Sequence, residues 1–114
     1  MRGTVTIDGK IVELKATAST LSKYRSLFGR DLLKDFRKIE KTFKDSGGED
    51  ISAEAIEIVA GLTYVMAKQA DPTITNNIDD WLDQFEIFPI DDFAQDVVML
   101  WAKSLNAKIE LKNV

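Results

Sequence analysis

Carboxylates are the groups in this sequence whose spacing most invites chemistry. Asp79, Asp80 and Asp83 fall within five residues, and Asp92 and Asp96 stand at i, i+4, on one side of a helical turn. Grouped carboxylates suit a hard divalent cation, but an oxygen-only site needs six or more converging ligands. The spacing here lacks the alternating ligands and the sixth-position glycine of a calcium loop. A simpler cause is available, because aspartates in the first turn of a helix are favoured by its dipole. No metal site and no cofactor are expected.

Histidine and cysteine are both absent. The first absence removes the usual near-neutral acid/base group and the commonest metal ligand. The second removes disulfides and thiolate sites and suits a reducing compartment. There is no G-x-S-x-G elbow, no phosphate-binding loop, and nothing that pairs Tyr24 or Tyr64 with a carboxylate. The chain is therefore not expected to be an enzyme.

Charge is distributed in two blocks within a net −4. Residues 23–44 carry eight basic side chains against three acidic ones, whereas residues 69–102 carry eight acidic and no basic ones. The basic block falls on the polar side of an amphipathic pattern, which is how any solvated helix face looks. Without a nucleic-acid motif it does not predict DNA or RNA binding. The two blocks do suit a head-to-tail contact between copies, a heterologous contact that closes into a ring or grows as a helix. Self-association is expected on that ground.

The elements that position these groups centre on residues 51–70, ISAEAIEIVAGLTYVMAKQA. Ser52 is a candidate N-cap with Glu54 and Glu57 behind it. Its apolar residues then point all round the cylinder, the mark of a helix buried on every side. Ahead of it, TVTID and KIVELKA alternate about Asp8-Gly9, which predicts a β-hairpin over 1–17. Such a hairpin is marginal alone and must pack on helices or on another chain. Ser19 or Thr20 can cap a helix bearing Leu21, Tyr24, Leu27 and Phe28. Gly29 either ends that helix or is carried through it. The stripe resumes as Leu32, Leu33, Phe36, Ile39 and Phe43. Gly47-Gly48 marks a loop. Asp71-Pro72 ends the central helix. Thr75, Asn76 or Asn77 caps a segment with Ile78, Trp81, Leu82 and Phe85. Pro89 then precedes a last helix with Phe93, Val97, Leu100, Trp101 and Leu105.

At 114 residues this is one domain. It reads as mainly α (α+β): an N-terminal hairpin, then a helical body over 20–105 of four or five helices around the buried central one. The tail 106–114 is either a short strand or frayed. No run of eighteen apolar residues and no secretory h-region are present, so no membrane association is expected.

Three stretches carry a family likeness: Y-R-x-x-F-G-x-D-L-L at 24–33, I-D-D-W-L-D-x-F-E at 78–86, and L-W-x-x-S at 100–104. Together with the hairpin and its D-G-K turn, from Val5 to Ser104, the order and spacing resemble the tail assembly chaperones of long-tailed phages and prophages of Gram-positive bacteria. The resemblance implies a protein that coats the tape measure protein, a long helix-rich polypeptide that sets tail length. It implies that the chain keeps this partner soluble in the host cytoplasm, helps to recruit tail tube protein, and is missing from the mature virion. In many relatives a ribosomal frameshift adds a second domain, and this chain would be the short form. The other reading of such a chain is a structural virion piece, a head–tail connector or tail completion subunit.

A holdase needs apolar surface to lend on a charged exterior. Each ring taken singly fits a core. Phe28 and Phe88 nevertheless adjoin the breaks at Gly29 and Pro89, and the Tyr24 hydroxyl prefers a wet end, so these three are expected outside it. With Arg30 and Lys34 of the basic block, and Asp91 and Asp92 of the acidic one, they are the candidate protein-interaction residues.

Overall fold

The computed structural model describes residues 1–46 and 52–105, with side chains up to residue 41 in the first of these segments. The Gly47-Gly48 loop, the Phe43 ring and the tail 106–114 lie outside what is described. Strands β1 (Arg2–Ile7) and β2 (Lys10–Lys15) form the antiparallel hairpin, in register from Arg2 opposite Lys15 to Ile7 opposite Lys10. Asp8 and Gly9 turn at φ of 52° and 73°, the doubly positive geometry of a tight type I′ reversal. Val5, Ile7, Val12 and Leu14 face the helices, and Ile11 points away at 75% exposure. The hairpin is therefore anchored on the helical body, β2 against the central helix and β1 against the last. Its tip is tied down as well. Asp8 accepts the Glu86 N–H (3.0 Å), and Lys10 donates to the Gln84 carbonyl (2.8 Å) while lying over the Phe85 ring.

Helix α1 (Thr20–Phe28) ends at Gly29, whose φ of 65° and N–H bond to the Arg25 carbonyl make it a left-handed stop. Helix α2 (Leu32–Ser46) starts afresh behind Asp31, whose side chain accepts the N–H of Leu33 at 2.9 Å. This restart shifts the phase of the apolar stripe. Leu32, Phe36 and Ile39 go inward, whereas Leu27 and Leu33, expected on the buried stripe, flank the break and are 47% and 46% exposed.

Helix α3 (Ala53–Ala70) is capped by Ser52, which accepts the Ala55 N–H, and stops at Asp71 before Pro72. From Ile58 to Ala67 every residue is buried, as an all-round apolar helix requires. Gly61 is the notch that admits α1. A Cβ there would lie 2.9 Å from Phe28 Cε2 and 3.3 Å from Tyr24 Cε2. Helix α4 (Ile78–Leu82) is capped by Asn77, and α5 (Ile90–Ser104) begins behind Pro89 with Asp91 and Asp92 in its first turn. Among the described residues the fold is thus a hairpin and five helices, with α3 at the centre.

Burial divides α3 energetically. Leu62→Ala is expected to lower unfolding free energy by about 3 kcal/mol, the typical cost of a buried leucine. Ile56→Ala on the open side of the same helix should lose less than about 1 kcal/mol. Urea denaturation of the two variants measures both.

Candidate functional site

The link between α1, α2 and α3 is polar. Asp35 lies on the buried side of α2, in the series Leu32, Asp35, Phe36, Ile39, and is itself buried. A buried carboxylate must be charge-paired or fully hydrogen-bonded. Here the Arg30 guanidinium grips it with a fork, Nε to Oδ2 and Nη2 to Oδ1, each at 2.9 Å. The Tyr24 hydroxyl donates to Oδ2 at 3.0 Å. Arg30 Nη2 also reaches Glu54 at 3.1 Å, and Lys38 meets the same carboxylate at 3.3 Å. Burial, then the bond to Asp35, push the Tyr24 phenol well above its ordinary range. The bond to Asp35 likewise raises Arg30, and hydrogen bonds from Lys38 and Arg30 hold Glu54 below the usual carboxylate range.

Above this network runs a groove of about 490 Å³ between α1, α3, α4 and the α4–α5 connection. Its apolar wall includes Phe28, Ile56, Ile78, Leu82 and Phe88, and its charged rim is Arg30, Glu57 and Asp79. Phe28 packs edge-on to Tyr24 (4.9 Å between centroids) over the Gly61 notch. Phe88 belongs to a run of touching rings, Tyr64–Trp81–Phe85–Phe88–Phe93, with centroids 4.9–6.3 Å apart. Two other shallow depressions have similar volumes. One, along α1 and the second half of α3, is lined by Ser22, Lys23, Ser26, Lys68 and Gln69 together with the apolar side chains of Leu27, Tyr64, Val65 and Pro72. The other, below β2, is lined by Glu13, Asp71, Thr75, Asp80 and Gln84 together with apolar side chains. In the first, Lys68 is already held by the Ile74 carbonyl and Asn76.

No family model, curated protein or solved structure matches this chain.

Of the sequence-derived candidates, Tyr24, Phe28, Arg30 and Phe88 meet in the groove. Tyr24 corrects the expectation that it lies outside the core. It is 2% exposed, because Asp35 rather than water takes its hydroxyl proton. Phe28 and Phe88 are half-buried, one flank on the core and the other lining the groove. Lys34 is exposed on α2, and Asp91 and Asp92 are exposed at the start of α5; none of the three lines the groove. Sequence reasoning missed Asp35, although an acid at i+3 between Leu32 and Phe36 on an apolar stripe was a readable signal. It also missed Ile56, Glu57 and Asp79 as groove residues, which only the packing of α3 beside α4 reveals. Among the described residues, no group of three acidic side chains could hold a metal ion, and no helix is long and apolar enough to cross a membrane.

Two predictions follow from the Asp35 network. Arg30→Ala strands a buried carboxylate and should cost about 3 kcal/mol, the lower end for such a loss because Arg30 is partly in water. Adding Asp35→Asn should recover part of it, as chemical denaturation of the single and double variants would show. The raised Tyr24 phenol, with burial raising Tyr64 in the same direction, makes stability depend on pH in the alkaline range. Above about pH 10 the unfolded chain releases the phenolic proton while the folded chain keeps it, so stability falls as pH rises. Tyr24→Phe should flatten that fall in unfolding free energy between about pH 9 and 11.

Proposed function

We propose that this chain is a non-enzymatic tail assembly chaperone of a long-tailed phage or prophage, working in the host cytoplasm on the tape measure protein. The observation that carries the proposal is the groove: half-buried Phe28 and Phe88 with Ile56, 36% exposed, form an apolar channel beside the Asp35 network. Such a channel fits the apolar face of an amphipathic helix, and the client the family likeness implies is long and helix-rich. Binding there shields apolar client surface until tail tube protein replaces the chaperone. Leu27, Leu33 and Ile87 add exposed apolar surface elsewhere on the helical body.

Self-association is part of the same proposal. Lys34, Arg37 and Lys41 stand exposed on α2, and Asp79, Asp80, Asp83, Glu86, Asp91, Asp92 and Asp96 stand exposed along α4, α5 and their connection. A basic face of one copy against the acidic face of the next gives the head-to-tail contact, which salt weakens.

Co-expression tests the client. The tape measure protein should be soluble with this chain and insoluble without it, and Ile56→Ser, at an exposed position of the groove, should weaken the effect while the chain stays folded. The purified virion should lack the chain by mass spectrometry; its presence there would favour the head–tail connector or tail completion reading instead. Light scattering should detect assemblies at low salt that dissociate at about 0.5 M salt; a monomer under both conditions would remove self-association.

A further inference from the structure

We infer that the groove selects a cationic amphipathic helix, one whose apolar face is flanked by lysines or arginines. The inference rests on the docking proposal above and adds the chemistry of the occupant. Three charged side chains stand along the groove: Arg30, Glu57 and Asp79. Arg30 has no positive charge to spare, since its guanidinium is forked onto Asp35 and bonded to Glu54. The side-chain carboxylates of Glu57 and Asp79 have no hydrogen-bond or ion-pair partner among the described residues. The uncompensated charge along the apolar channel is therefore negative on both counts. Asp79 itself belongs to residues 69–102, which hold eight acidic and no basic side chains.

A helix seated with its apolar face against Phe28, Ile56, Leu82 and Phe88 brings its flanking positions over Glu57 and Asp79. Lysine or arginine at those positions meets the two carboxylates and lays its aliphatic stem along the apolar wall. Glutamate there meets like charge, so the rim rejects as well as attracts. The basic helix α2 of a second copy is a poorer occupant. Its own stripe of Leu32, Phe36 and Ile39 is buried in its own core, which leaves Leu33 as the one large exposed apolar side chain on its described part.

The test uses two synthetic helical peptides of about 20 residues. They share one leucine and isoleucine face and differ only in flanking lysines or glutamates. Binding to the full chain is read by fluorescence anisotropy at low salt. The lysine peptide should bind roughly tenfold more tightly, as two rim ion pairs allow, and Glu57→Gln with Asp79→Asn should abolish the preference. Equal binding, or preference for glutamate, overturns the charge selection and leaves the docking proposal standing. Binding of neither peptide overturns both. Lysine-peptide binding that is unchanged in Ile56→Ser places the peptide elsewhere on the acidic face and overturns the inference. Peptide binding that appears only on dilution shows a second copy in the groove and overturns it too.

Discussion

A helix without a polar side must be walled in completely, and α3 imposes that constraint on the whole molecule. Ile58 to Ala67 are all buried. Each neighbouring element is consequently amphipathic and turned inward, the hairpin on one side, α1 and α2 on another, α5 on a third. The walls approach closely only where α3 yields. Gly61 gives Phe28 and Tyr24 room that any side chain would take away. Where the enclosure ends, towards the first turns of α3, Ile56 and Glu57 come to the surface and the groove begins. The concavity is thus the unfinished edge of the core, which explains why it is apolar.

Much of this architecture could be read locally. The Asp8-Gly9 reversal, the Ser52 cap, the stop at Asp71-Pro72 and the start behind Pro89 each depend on a few adjacent residues, and local signals decide them. Leu27 and Leu33 were misplaced for an equally local reason. Leu33 continued a stripe that the left-handed Gly29 cuts, and helical phase does not carry across such a break; Leu27 lies in the last turn of α1, beside the break. Tyr24 was misjudged for a different cause. Its burial depends on a carboxylate eleven residues away on another helix, a partner that no periodicity assigns.

The Asp35 network also decides which charges near the groove are available. Hydrogen bonding inside the protein uses up Arg30, so its positive charge is structural in effect, while the exposed acids Glu57 and Asp79 on neighbouring helices keep their charge. Charge read along the sequence and charge presented to a partner are different quantities. The difference here comes from a single fork of two 2.9 Å contacts.

Phe88 does not stand alone at the groove. It leans on Phe85 and Phe93, and Phe85 leans on Trp81, which leans on Tyr64. A ring braced in this way loses little rotational freedom when something settles against it, because most of that freedom was surrendered on folding. The entropic cost of association then falls mainly on the incoming chain. This side of the channel acts as a stiff template, to which a pliable client must conform.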